Sequence, residues 1–179
     1  MSRTQHVCLM AEYNQWMNAR LYAAARTLPD AELAADRKAF FGSLFGTLNH
    51  LAAGDTIWLQ RFAQHPAHFA ALDAVRALAP PAGLSQMLFP DFDALAQYRQ
   101  WLDGVIIAWA GTLTEADLDH VLRYQNTRGD PFGRNFFSLL MHFFNHQTHH
   151  RGQATTLLSQ AGVAIGDTDL LALIPNVAP

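Results

Sequence analysis

Apolar residues recur at helical spacing from about residue 5 to 27, where Val7, Met10, Met17, Leu21 and Ala24 share a face with Asn14. No glycine or proline interrupts that stretch, and Pro29-Asp30 ends it. Asp36 is a suitable N-cap, so the pattern predicts a second helix over residues 36 to 63, ahead of Pro66. Residues 65 to 90 are less regular, with a short helix expected over residues 67 to 78 before Pro80-Pro81 and Gly83. A third helix is predicted over residues 91 to 110, with Asp91 as N-cap and Gly111 as its close. Residues 117 to 134, which carry Val121, Tyr124, Gly129 and Pro131, read as a short hairpin or an irregular loop. A fourth helix is predicted over residues 134 to 161, stopped by Gly162. The tail from Gly166 is polar and then apolar, and is expected to pack back on the helices. Four long amphipathic helices with two long connections give an all-α fold, a four-helix bundle with long crossover connections. The expected domain is single, over residues 1–179.

Composition narrows the class. Half of the 179 residues are hydrophobic and 15 % are charged, which suits one domain with a sizeable core and excludes a disordered chain. The net charge is −3 and the arginines are scattered, so nucleic acid is not an expected partner. No apolar run is long enough to span a bilayer, so no membrane partner is expected either. Cys8 is the single cysteine, which rules out an intrachain disulfide and suits a reducing compartment. The first six residues lead into no apolar signal core, so the expected location is the cytoplasm.

The chemistry concentrates in Met141–Gln153, which holds four of the nine histidines. On a helix, His142, His146 and His150 stand above one another with roughly 40° between neighbours, and His149 lies roughly 60° from His146. Leu139, Gln153 and Leu157 share the stripe, so these imidazoles are expected to face the apolar interior. They could form a polar core network, an exposed run, or a metal site. Histidines at i and i+4 are about 6 Å apart at Cβ and can converge on one ion. Residue 147 is Gln, so the H-E-x-x-H pattern and the general base of a zinc protease are absent. A further ligand candidate is His50 on the second helix, whose face also carries Ser43, Gly46, Thr47, Gly54 and Ile57. Small residues beside an inward histidine suggest a pocket between helices. Asp55 lies roughly 140° around from His50 and reads as one half of an ion pair, with Arg151 a conceivable partner. His6, His65, His68 and His120 fall near a terminus or in loops and read as solvent-exposed.

At these residues the chain resembles the DinB/YfiT-like superfamily. Asn49-His50-Leu51 with Asp55, Trp58, Leu59 and Phe62 is similar to its second-helix signature. Asn145-His146-Gln147-Thr148-His149-His150-Arg151-Gly152-Gln153 is similar to its fourth-helix signature. Tyr13 to Asn18 and Gly166 to Leu171 match as well, so the resemblance covers nearly the whole chain. It implies a four-helix bundle, often dimeric, with one divalent metal held by His50, His146 and His150. His142 and His149 are not ligand positions in that pattern and are expected to border the pocket or to stand behind the ligands.

Three neutral imidazoles with an open position suit Zn²⁺ or Ni²⁺ ahead of other first-row ions. Relatives that the resemblance brings in include mycothiol-dependent maleylpyruvate isomerase and bacillithiol or other low-molecular-weight thiol S-transferases. The expected function is therefore metal-dependent transfer of a small thiol to a small electrophile. The competing expectation is a non-catalytic dimeric metal-binding protein of stress response or ligand binding. No basic partner is evident near Cys8, so the thiol would come from a cosubstrate. Thr47 and Gln153 are expected to border a cavity beside the ion, unless Gln153 serves only to orient a ligand histidine.

Overall fold

The computed structural model describes residues 1–177. Four long helices carry the fold: α1 (Arg3–Ala25), α3 (Leu44–Phe62), α5 (Phe92–Ala110) and α7 (Phe136–Gln160). Shorter elements lie in the connections: α2 (Asp30–Ala34), α4 (Asp73–Arg76), α6 (Glu115–Leu118), and an antiparallel hairpin of β1 (Val121–Gln125) and β2 (Pro131–Asn135). The all-α bundle and the hairpin before the last helix are both present.

The helix starts follow their caps. Ser2 and Gln5 form a reciprocal capping box at α1, Asp91 caps the amide of Ala94, and Asn135 caps that of Ser138. The second long helix begins at Leu44 and not at residue 36. Asp36 does accept a backbone amide, but it is that of Lys38 in a turn. Lys38 has φ 57° and Gly42 φ 75°, so the chain there cannot continue a helix. Ser43 is the cap, accepting from the Gly46 amide. Gly46 has to be glycine, because a Cβ there would lie 2.2 Å from the Phe41 carbonyl oxygen. The other end of the pattern is as the sequence suggests. Gly162 turns with φ 78° and lets the Val163 amide return to the Leu158 carbonyl, closing α7.

Both α1 and α3 pack against α5 and α7, so α1 faces α3, and α5 faces α7, across the diagonals. Two apolar clusters fill the bundle. One takes Val7 and Ala11, Leu59 and Phe62, Leu102 to Ala110, and Phe136 to Phe144. The other takes Leu21 to Ala25, Leu44 to Ala52, Phe92 and Leu95, and Ala154 to Leu158. Read along the chain, α1 and α7 run from the first cluster to the second, while α3 and α5 run the opposite way. Parallel α3 and α5 require the connection between them to return along the bundle, which explains its length. The tail folds back on α1, where the Tyr13 hydroxyl donates to the Thr168 carbonyl at 2.7 Å.

Between the two apolar clusters lies a buried polar layer with at least one residue from each long helix. Asn14 and Asn18 come from α1, Asp55 from α3, Arg99 and Asp103 from α5, and Gln147 and Arg151 from α7. Asp55 accepts from Arg99 at 2.5 Å and from Gln147 at 2.9 Å, while Asp103 forms an ion pair with Arg99 at 2.8 Å and accepts from the Asn14 and Asn18 amides at 2.9 Å each. Arg151 donates to Asn14. The expected interhelix ion pair of Asp55 is therefore real, but its partner is Arg99 and not Arg151. A carboxylate on the inner face of α3 can reach only what α5 and α7 offer at the same depth.

Candidate metal centre

α3 and α7 run antiparallel and present their histidines to one another across their seam. His50 Nε2 lies 3.2 Å from His146 Nε2 and 3.1 Å from His150 Nε2. One ring nitrogen from each of the three residues lies within 4.8 Å of the other two. Nitrogens held about 2.0–2.1 Å from a tetrahedral ion stand about 3.3 Å apart. The cluster is thus close to the spacing an ion would impose.

Hydrogen bonding on the far side of two rings decides which nitrogens carry protons. His50 Nδ1 is 2.7 Å from the Leu84 carbonyl oxygen, which can only accept. His150 Nδ1 is 2.7 Å from Gln153 Oε1, also an acceptor. Both Nδ1 atoms therefore hold the proton of the neutral ring, and both Nε2 atoms are bare. Two lone pairs then face each other at 3.1 Å with no proton between them. His146 Nδ1 is buried without a hydrogen-bond partner. Such an arrangement is repulsive by itself and favourable around a cation. Burial, aided by the neighbouring imidazoles, pushes His146 down to about 3. Burial also holds His50 and His150 below the usual histidine range. At neutral pH all three are in the neutral form that binds metal.

Local packing fixes these rings. Gly54 lies one turn beyond His50, and a Cβ on it would come within 3.0 Å of His146 Cε1. The small residue that suggested an open pocket is in fact the seat of a ligand ring. Phe41, from the turn before α3, stacks on His50 with ring centroids 3.8 Å apart. Neither Phe41 nor the Leu84 carbonyl was recoverable from the sequence, because both sit in irregular segments whose course no periodicity reports.

The remaining sequence candidates separate. His142 and His149 are exposed, and only His150 of the α7 histidines is on the buried face, beside Gln147 and Arg151. The stripe thus lines the α3–α7 seam and does not point into the apolar interior. The ring centroid of His142 is 6.1 Å from that of His146, and the ring of His149 is 4.8 Å from that of His150. Thr47 is buried, and its hydroxyl donates to the Ser43 carbonyl at 2.9 Å. Gln153 instead spans two histidines, with Oε1 on His150 Nδ1 and Nε2 3.3 Å from His149 Nε2. Cys8 is half-buried against the Ala110 carbonyl, and burial raises its thiol, so it is poorly suited to act as a nucleophile. His65, expected in solvent, is buried. Its Nδ1 accepts from the Ala67 amide at 3.1 Å and its ring stacks on Phe69.

The position of Gln153 gives an expected result. Gln153→Ala removes the acceptor that fixes the His150 tautomer, so metal affinity should drop about 10- to 100-fold. Competitive chelation of wild type and variant measures this. Unchanged metal affinity with weakened ligand binding would instead place Gln153 at the substrate.

Comparison with known proteins gives a consistent pattern. The model of the DinB family matches residues 1–176. The chain is similar to the protein DinB of Bacillus subtilis (strain 168), at 25 % identity over 161 residues, covering 88 % of this chain and 87 % of that protein. No solved structure matches.

Proposed function

The chain belongs to the DinB family, and from that premise we propose that it is a metal-dependent transferase that joins a low-molecular-weight thiol to a small electrophile. The observation that carries this reading is the pair of bare Nε2 atoms of His50 and His150 facing each other at 3.1 Å. The three imidazoles would hold Zn²⁺ or Ni²⁺ and leave at least one coordination position open. A bound ion there would acidify a coordinated thiol, supplying a thiolate at neutral pH. The chain's own residues do the positioning. The Leu84 carbonyl and Gln153 hold two rings in the metal-binding tautomer, Gly54 seats the third, and Phe41 covers His50 from water. No side chain of the cluster is itself a thiol, so the sulfur comes from the cosubstrate. The location that goes with this proposal is the cytoplasm, where such thiols are reduced. No helix among the described residues is long and apolar enough to cross a membrane.

Two measurements test the reading. Protein purified without a nickel column should contain about one equivalent of metal per chain. With a panel of low-molecular-weight thiols and a chromogenic electrophile, turnover should depend on that metal. Metal present with no thiol-dependent turnover would favour a binding protein over an enzyme.

The working unit in this proposal is a homodimer. Phe40, Trp101 and Leu171 are large apolar side chains left 87 %, 38 % and 71 % exposed, which gives a second copy apolar surface to cover. Interface burial should exceed about 1,000 Å² in total. Light scattering at micromolar concentration should give twice the chain mass, and a monomer mass would overturn the proposal.

A further inference from the structure

The seam that holds the imidazoles continues beyond them. Along α3 the residues run His50, Gly54, Trp58 and Arg61, and along antiparallel α7 they run His150, His146, His142 and Ser138. Past His142 the hairpin lies over the seam and borders two open clefts of about 850 and 380 Å³, which share Arg61, Tyr124 and Phe132 as walls. His142 lines the smaller one and packs edge-on against Trp58, with ring centroids 5.1 Å apart. One groove therefore leads from the hairpin to the neighbour of a candidate ligand.

Its charge is unbalanced. Arg61 and Arg123 line the larger cleft, Arg61 and Arg134 line the smaller, and among the described residues no acidic side chain lines either. The ion pairs among the described residues all involve other side chains. The guanidinium of Arg61 is held by aromatic faces, 4.6 Å from the ring centroid of Trp58 and 5.1 Å from that of Tyr124. Arg134 sits likewise 5.2 Å over Phe132. A guanidinium held by ring faces keeps its N–H groups free for a bidentate anion. Burial of Arg61 pulls its guanidinium below the usual range, as expected of a half-buried cation with no counter-charge.

We propose that this groove binds a small planar anion of the aromatic carboxylate class, with its carboxylate on Arg61 and its ring among Tyr124, Phe132 and Trp58. The far end of such a ligand would lie toward His142, the neighbour of His146 along the seam, which would make it the electrophile of the proposed reaction. That assignment of role rests on the transferase reading, but binding of the anion does not.

The test uses 4-fluorobenzoate as probe and uncharged 4-fluorobenzamide as its control, followed by fluorine NMR on the full chain, both chelated and metal-loaded. Benzoate should bind the chelated protein, and the amide should bind at least about ten-fold more weakly. Arg61→Gln should weaken benzoate about ten-fold while leaving the amide unchanged. Because Arg61 also packs on Trp58, the exposed pair Arg123→Gln/Arg134→Gln provides a second variant, expected to weaken benzoate several-fold. No benzoate binding up to about 10 mM, equal binding of acid and amide, or wild-type affinity in Arg61→Gln would each overturn the proposal. Loss of the metal reading would leave benzoate binding intact, and failure of benzoate would leave metal content intact, so the two are distinguishable.

Discussion

His146→Ala should leave a folded bundle that no longer retains metal. His146 is the middle residue of the cluster, with its Nε2 3.2 Å from that of His50 and its ring 4.4 Å from that of His150. Without it two protein ligands remain, and the loss in affinity should exceed the roughly 10- to 100-fold that follows from losing only an orienting partner. Dialysed variant should contain no metal where wild type holds about one equivalent. The fold should not depend on the ion, because two apolar clusters fill the bundle on either side of the polar layer. A protein saturated to about 1,000 times its dissociation constant gains about 4 kcal/mol from its ligand. Chelation should therefore lower the melting temperature of wild type and leave that of His146→Ala unmoved, with the helical circular-dichroism signal kept in both. Stoichiometric metal in the dialysed variant would sink the assignment, and so would loss of most helical signal on chelation of wild type.

Helical periodicity made the histidines legible as candidates, His142 and His149 included, and it is the family resemblance that picks His50, His146 and His150 from them as the ligand set. His146 and His150 are one turn apart on one helix, and His50 stands among small residues on another. What periodicity cannot report is what the loops contribute. Phe41 stacks on His50 from a turn that the sequence assigned to the second helix, since Asp36 is as good a cap in a turn as in a helix. The Leu84 carbonyl bonds His50 from a proline- and glycine-rich connection, where a backbone atom leaves no side-chain signature. Gly54 suggests an open pocket in the sequence, and nothing there says that the His146 ring occupies the space. His65 was misread because it lies in a loop, and loops are usually exposed. Its turn with Ala67 tucks the ring beneath Phe69 and Phe136. The polar layer was half visible. Asp55 announced a pair, but its choice of Arg99 follows from α3 and α5 running parallel, which is a property of the crossover and not of any local stretch.

Asp55→Ala should destabilise the protein by about 3–5 kcal/mol, a large share of the about 5–15 kcal/mol that holds a domain together. Asp55 is fully buried and takes one bond from Arg99 at 2.5 Å and one from Gln147 at 2.9 Å. The pair need not be a net source of stability, since removing two charges from water opposes their attraction. Truncating one partner is a different matter. Arg99, 2 % exposed, would keep only Asp103 as a counter-charge, and the Gln147 amide would lose its acceptor. For a chain of this length the loss corresponds to a fall of roughly 10 °C or more in melting temperature. Replacing both partners with apolar residues, as in Asp55→Leu/Arg99→Met, should cost less than the sum of the two single changes, because Asp55 and Arg99 no longer strand one another, although Asp103 then keeps only the amides of Asn14 and Asn18. The consequence reaches the metal centre through α7. Gln147 follows His146 directly, and Asp55 follows Gly54, the seat of the His146 ring, so the bond between Asp55 and Gln147 holds the two ligand-bearing faces in register. Asp55→Ala should therefore weaken metal binding at temperatures where the variant is still folded, although Asp55 does not touch the ion position. Urea denaturation of the chelated proteins isolates the stability term, and chelator competition at low temperature isolates the register term. A stability loss below about 1 kcal/mol would show that the polar layer relaxes around the missing carboxylate, and the argument that it sets the register of α3 against α7 would fall with it.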